Sequence, residues 1–256
     1  GTIDADGYCQ TCGAKAPSAA DHYAESPSAW VGGVCDRGRQ HARNEDAMAL
    51  WADDSRAVLV VCDGVSTSAD SDVAARVAAT TAREVLVAAV TGGTPLAGAF
   101  VEAAAAANAQ VVATTAPDST NAASATQAFI EQGMTRAEAE SLPRAHAITK
   151  WLGRDSTEIV PRVGEQDFTG PGWVVVCSDG LWNYASSPEE LAAQLRDAAT
   201  DDDPTAVAER LVAWANARGG KDNITVALAR VGTTAPKPHS LGDTVPASGE
   251  EPPEHG

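Results

Sequence analysis

Two segments of this 256-residue chain repeat one pattern: Val58-Leu59-Val60-Val61-Cys62 runs into Asp63-Gly64, and Val174-Val175-Val176-Cys177-Ser178 runs into Asp179-Gly180. Short unbroken β-branched runs read as strands buried on both faces. The chain must therefore fold around covered sheet, and each of these strands ends on a carboxylate. One Asp-Gly after a strand is an ordinary turn, but further acids stand before other strands. Asn44-Glu45-Asp46 precedes Ala47-Met48-Ala49-Leu50-Trp51, and Asp53-Asp54-Ser55 leads into the Val58 strand, which predicts a hairpin. With its centre at Asp54, Glu45 faces Asp63. Like charges directly opposite are destabilising, so such a pair requires a cation. Lys221-Asp222-Asn223 precedes a last strand from Ile224 to Leu228, and if that strand runs antiparallel to the others, Asp63, Asp179, Asp222 and Glu45 gather at one rim. Carboxylates without basic partners select hard divalent ions, Mg²⁺ or Mn²⁺, over zinc and copper. Two such ions suit in-line attack on phosphorus without a protein nucleophile.

Charge narrows the choice of substrate. Lys+Arg 18 against Asp+Glu 35 leaves a net charge of −17, which repels nucleic-acid backbones and anionic lipid surfaces. A two-metal nuclease would share the carboxylates, but the chain has no basic groove for a polyanion. The apolar runs are strand-sized and none approaches the ~18 residues of a membrane span, and no basic-then-apolar leader precedes the first segments. The expectation is a soluble cytoplasmic protein without nucleic-acid or membrane partners, whose start reads as a domain boundary; the sequence does not specify its oligomeric state.

Helical periodicity over Asp72 to Val90 stops at Gly92-Gly93, and Thr94-Pro95 then reads as an N-cap with proline in the first turn of a helix from Leu96 to Ala113. Pro188 to Ala199 and Thr205 to Arg218 form a second helical pair. Residues 1–29 read as a polar leader, 30–231 as the folded domain, and 232–256 as a disordered acidic and proline-rich tail. Cys35, Cys62 and Cys177 sit in apolar strands and read as small buried hydrophobes. Cys9 and Cys12 differ: Tyr8-Cys9-Gln10-Thr11-Cys12-Gly13 has the shape of a zinc knuckle, half of a tetrahedral Zn²⁺ site whose partner pair would lie upstream. The alternative is an unmetallated tail.

In order along the chain, four motifs resemble those of the metal-dependent serine/threonine protein phosphatases of type 2C, in their bacterial branch. They are Asp36-Arg37-Gly38 through Asn44-Glu45-Asp46, Val61-Cys62-Asp63-Gly64, Cys177-Ser178-Asp179-Gly180-Leu181-Trp182, and Gly220-Lys221-Asp222-Asn223-Ile224-Thr225-Val226. The resemblance implies an α+β fold, a four-layer sandwich of two antiparallel β-sheets flanked by antiparallel helical hairpins. It also implies hydrolysis of phosphoserine or phosphothreonine in phosphorylated protein substrates by a hydroxide bridging two Mn²⁺ or Mg²⁺ ions. Asp63 would bridge the ions with the Gly64 carbonyl on one, Asp179 and Asp222 would complete the other, Glu45 and Asp46 would hold waters on the metals, and Asn223 would support the edge.

Three departures qualify the resemblance. The family places a phosphate-gripping arginine four residues before the Glu of Asn-Glu-Asp, where this chain has His41. Arg39 or Arg43 is expected to substitute, since positions 39, 41, 43 and 45 share a face of an extended segment, and His41 is expected to donate a proton to the leaving alkoxide. Val65-Ser66-Thr67-Ser68 replaces the small pair after Asp63-Gly64. After Thr115 the family's central strands are missing, and the chain passes to Phe129-Ile130-Glu131-Gln132-Gly133-Met134, similar to a later helical segment. That gap and the absent arginine leave a competing reading, a pseudophosphatase serving as a binding or regulatory module.

Overall fold

The computed structural model describes residues 2–4, 9–13, 16, 18–65, 70–115 and 150–232. The region after Thr115 where family strands are missing, the Ser66–Ser68 loop and the tail from 233 lie outside them. Among these described residues six strands and five helices follow in the order β1 (His22–Ser28), β2 (Val31–Asp36), β3 (Ala47–Ala52), β4 (Ala57–Cys62), α1 (Ser71–Gly92), α2 (Leu96–Thr114), β5 (Gly172–Cys177), the single-turn α3 (Asp179–Trp182), α4 (Pro188–Ala198), α5 (Pro204–Ala217) and β6 (Ile224–Val231). Strands β1-β2-β6-β5 form one antiparallel sheet and β3-β4 a second.

β6 shows why the two sheets stack. Its even positions Ile224, Val226 and Leu228 meet Val207, Leu211 and Val212 of α5, while Ala227 and Ala229 face Met48 and Leu50 of β3. Alternation with period two thus serves two cores at once. Burial of a side chain such as Leu211 or Ile224, both fully enclosed, stabilises by roughly 1.5–3 kcal/mol each. On the far side of the β3-β4 hairpin, Ala75 and Ala79 of α1 pack on Ala47 and Ala49, and Ala99 and Ala103 of α2 join Leu86 and Val58. The layers are therefore helices, hairpin, four-stranded sheet, helices, as the sequence implied.

Helix starts follow local chemistry. Ser187 and Glu190 form a reciprocal capping box ahead of α4, and Asp203 accepts from the Thr205 amide at 3.0 Å ahead of α5, with proline in the first turn of each.

Four expectations are corrected here. β1 pairs with β2 from His22↔Asp36 to Ser28↔Val31, so the sheet begins inside the stretch read as polar leader; its exposed edge position lets His22, Glu25 and Ser26 remain polar. α2 starts after Pro95, not at a Thr94 cap: Pro95 holds the cap position with no side-chain cap bond, and the Thr94 amide closes the end of α1 on the Ala89 carbonyl. The β3-β4 pairs sum to 109, as in Ala47↔Cys62: the Asp53 amide bonds the Arg56 carbonyl, and the turn is centred between Asp54 and Ser55. Extending that register sets Asp46, not Glu45, opposite Asp63. Finally, Leu96–Thr114 is long and apolar enough by length and composition to cross a membrane, with a mean hydropathy of 1.4. Its alanines raise the average without forming a bulky apolar run, and Ala99, Ala103, Ala107 and Val111 are buried on one face.

Candidate active site

β4 and β5 end where β3 and β6 begin, since Ala47 pairs with Cys62 and Cys177 with Val226. Two polar links join these ends into one rim: the Glu45 amide donates to Asn223 Oδ1 at 2.8 Å, and Thr225 Oγ1 donates to Asp46 Oδ2 at 2.7 Å. Asp63 leaves β4, Asp179 opens α3 after β5, and Asp222 precedes β6, so this rim receives the carboxylates.

Their electrostatics record the crowding. Asp63 is pushed up to about 9 by withdrawal from water, then by the charges of Asp46, Asp179 and Asp222 and a hydrogen bond with Asp179. Asp63 is itself exposed, so an ion can approach it. Asp46 lies deeper, 6% exposed. Burial raises it to about 7, against hydroxyl donors from Ser178 and Thr225 and with the charges of Asp222 and Asp179. The Asp222 carboxylate faces His41, whose Nε2 lies 3.2 Å from its Oδ1, while His41 Nδ1 is 3.6 Å from Glu45 Oε2.

The acids are gathered but not closed around a point: among the described residues no three acidic, histidine or cysteine side chains are grouped to hold an ion. Asp63 turns to Asp179, and Asp222 to His41. In donor chemistry the set is all oxygen, which suits Mg²⁺ or Mn²⁺. It fits those ions by ligand type, with Asp222 needing to leave His41 to join the other two.

The segment from Arg37 to Arg43 is a folded loop and not the extended strand expected. Gly38, at φ 73°, turns the chain; its amide bonds Asp36 Oδ1, the Arg39 and Gln40 amides bond the Gly220 carbonyl, and Arg37 Nη1 donates to the His41 carbonyl. Arg39 and Arg43 are consequently separated. Arg39 is exposed beside Gly220, and among the described residues its guanidinium makes no ion pair. Arg43 donates through Nε and Nη2 to Glu45 Oε1 at 3.0 and 2.8 Å and through Nη2 to Ser71 Oγ at 2.9 Å, with Asp72 3.7 Å away. Glu45 Oε1 also accepts from Ser71 Oγ at 2.5 Å, which draws Glu45 toward α1. Gly64 lies against the Glu45 carbonyl, with space for no side chain. Asn223 is the latch: beyond its bond from Glu45, its Nδ2 donates to the Arg37 and Arg43 carbonyls at 2.8 and 3.1 Å.

Ser71, Ser178 and Thr225 were not singled out in the sequence, yet each holds a site carboxylate. Thr225 and Ser178 carried a faint signal, a hydroxyl at the rim end of an otherwise apolar run. Ser71 carried none, because its partners lie on another element. Of the three strand cysteines expected to be buried, Cys35 is enclosed while Cys62 and Cys177 are half-buried, and loss of water contact pushes their thiols up to about 11, 12 and 11.

The protein phosphatase 2C family profile matches residues 37–149, and protein phosphatase PhpP of Streptococcus pneumoniae is 41% identical over 96 residues, 37% of this chain and 37% of its own length. Over these residues the chain is similar to bacterial type 2C protein phosphatases. It spans little more than a third of the length of the curated relatives it matches. Among solved type 2C-like structures, the PPM Ser-Thr phosphatase MsPP from Mycobacterium smegmatis is 24% identical with a TM-score of 0.59, covering 78% of this chain and 97% of that one. The S. agalactiae serine/threonine phosphatase gives 18%, 0.61, 80% and 98%. The catalytic domain of the serine threonine protein phosphatase PstP, solved in complex with two manganese ions, gives 21%, 0.52, 82% and 99%. At these identities the structures establish the layered type 2C fold.

Proposed function

We propose that this chain hydrolyses phosphoserine and phosphothreonine in phosphorylated proteins, using two divalent ions, Mn²⁺ or Mg²⁺, held by Asp63, the Gly64 carbonyl, Asp179 and Asp222, with Glu45 and Asp46 around them. The observation that carries this reading is the arrival of Asp46, Asp63, Asp179 and Asp222, from four separate places in the sequence, at one rim, where the ends of β4 and β5 meet the starts of β3 and β6 and Thr225 bonds Asp46. When bound, such ions lower the pKa of water and absorb charge developing on the phosphoryl oxygens.

The chain's own residues have distinct roles in this reading. Arg39, exposed at the Gly220 turn, grips a phosphate oxygen, for which a guanidinium fork is well shaped. Arg43 is committed to Glu45 and Ser71, so it positions the carboxylate and leaves the substrate to Arg39. His41 stands between Glu45 and Asp222 and donates a proton to the departing serine or threonine alkoxide. Asp46, held by Thr225, lies on the buried side of the rim beside Asp63, where a bound cation would favour its charged form. Substrate anions are drawn by the ions and Arg39 locally, against the overall negative charge of the protein.

The test is release of phosphate from p-nitrophenyl phosphate and then from phosphoserine and phosphothreonine peptides in Mn²⁺. Turnover that disappears in Asp63→Asn with native circular dichroism, and weakens in His41→Ala, is expected. Phosphopeptide binding without turnover in the unaltered chain would replace the hydrolase with a binding module, and full turnover in His41→Ala would remove the proton-donor role.

A further inference from the structure

The proposed hydrolysis gives Cys35 no role, yet its sulfur sits within a run of polar side chains that ends on Asp46. Thr225 Oγ1 donates to Asp46 Oδ2 at 2.7 Å, Cys35 Sγ lies 3.1 Å from Thr225 Oγ1, and Asn44 Nδ2 donates to Cys35 Sγ at 3.1 Å. Cys35 and Thr225 are fully enclosed, and Asn44 and Asp46 are 5% and 6% exposed. β2 carries Cys35, the segment leading into β3 carries Asn44 and Asp46, and β6 carries Thr225, which pairs directly with Cys35 across the sheet.

The protons give the run a direction. Asn44 Oδ1 accepts from the Asp46 amide at 3.3 Å, which orients the side-chain amide so that Nδ2 serves the Ala20 carbonyl at 2.9 Å and the Cys35 sulfur. Asn44 therefore gives a proton to the sulfur and takes none from it. At the other end, Thr225 has one hydroxyl proton, and a carboxylate at 2.7 Å is a stronger acceptor than a neutral sulfur at 3.1 Å. The hydroxyl is committed to Asp46 and turns only lone pairs toward Cys35. The thiol proton has two acceptors within reach, Thr225 Oγ1 at 3.1 Å and the Asp46 carbonyl at 3.7 Å, and the shorter distance selects Thr225. Every donor in the run thus points toward the Asp46 carboxylate, and hydrogen bonds in such a chain strengthen one another. A small apolar residue would fill the place of Cys35, but it could neither accept from Asn44 nor donate to Thr225.

We propose that Cys35 is a positioning residue: acting through Thr225, its thiol fixes the Asp46 carboxylate at the rim proposed to hold the divalent ions. The link to the ions rests on the two-ion reading, whereas the bonds of the thiol itself do not.

The test is infrared difference spectroscopy of the full chain, because the thiol stretch falls in a window clear of other protein absorption. Subtracting the Cys35→Ala spectrum, taken in the same background for each variant, isolates the Cys35 band from those of the remaining cysteines. Without metal, the band is expected at the lowered frequency of a donating thiol, to rise in Thr225→Val, which removes the acceptor, and to return in Thr225→Ser, which restores it. A free-thiol frequency in the unaltered chain, or a band unmoved in Thr225→Val, overturns the proposal. Added Mn²⁺ should shift the band, since an ion at the rim draws on the carboxylate that the chain supports, and the shift should vanish in Asp63→Asn. By titration calorimetry Thr225→Val should weaken Mn²⁺ about tenfold and Thr225→Ser should recover the affinity. Mn²⁺ binding that leaves the band in place overturns the link from Cys35 to the rim. A chain that binds no Mn²⁺ overturns the two-ion reading and the rim role of Cys35 with it, while the metal-free band still decides the bonds of the thiol.

Discussion

Asn223 holds the loop from Arg37 to Arg43 and the Glu45 amide to the start of β6 through one side chain, and removing it tests whether the site is built as described. Asn223→Ala deletes the acceptor for the Glu45 amide and the donor to the Arg37 and Arg43 carbonyls. At about 0.5–1.5 kcal/mol net for each hydrogen bond, three bonds come to about 1.5–4.5 kcal/mol. The Glu45 amide, in a residue only 4% exposed, is left buried and unpaired. Residues 37 and 43 are half-buried, so water can reach their carbonyls and recover part of the loss. The expected destabilisation is therefore about 3 kcal/mol, read from urea unfolding with the slope unchanged. Because the same bonds fix the approach of Glu45 and His41 to Asp222, Mn²⁺ affinity should fall with stability. A loss below about 1 kcal/mol would refute the latch, as would a normal stability loss with undiminished Mn²⁺ affinity.

Gly180 carries α3 against β6, where an added Cβ would meet the Asn223 carbonyl oxygen at 1.8 Å. Backbone on both sides cannot yield as a flexible side chain would, so Gly180→Ala should cost about 1–3 kcal/mol or more, and an unchanged thermal midpoint would rule the contact out. Arg39→Ala should raise KM for a phosphopeptide at near-constant stability. Arg43→Ala, losing charge-assisted bonds worth about 1.5–3 kcal/mol each, should chiefly lower stability, and interchange of the two phenotypes would reverse the assignment. His22 donates to Asp36 at 2.8 Å and faces Glu209 at 3.2 Å, and these partners raise it above the usual imidazole value, with Asp36 the larger cause. A raised folded value means that its contribution is complete below the unfolded imidazole pKa and is lost as pH climbs through the folded one. With the ring about half exposed, 48%, solvent screening keeps this below about 1 kcal/mol. His22→Gln should flatten stability across that window, and an unaltered pH dependence would exclude the pair.

Much of the site was legible because strand and carboxylate are adjacent in sequence. Val-Val-Cys followed at once by Asp63, and again with one serine before Asp179, declares both the strand and its polar end, and an antiparallel return through Ile224 brings Asp222 to the same side. Register was less legible. A two-residue turn and a turn centred on one residue differ by half a position, enough to exchange Glu45 for Asp46 opposite Asp63. β1 escaped notice because an edge strand has one buried face at most, and its Glu25, Ser26 and Pro27 read as leader; proline is tolerated at such edges. The fate of Arg43 was beyond sequence reasoning, since its partners Ser71 and Asp72 lie on a helix 28 residues away from it or further. The extended geometry assumed for residues 39–45 failed for a local reason, the left-handed turn at Gly38.

The most direct test of the account is anomalous scattering at the manganese edge from a crystal soaked in saturating Mn²⁺. Two peaks about 3.5–4 Å apart, ligated by Asp63, Asp179 and Asp222 with Asp222 released from His41, are the predicted result. A fully soaked crystal with no manganese at this rim, and Asp222 still on His41, would contradict it.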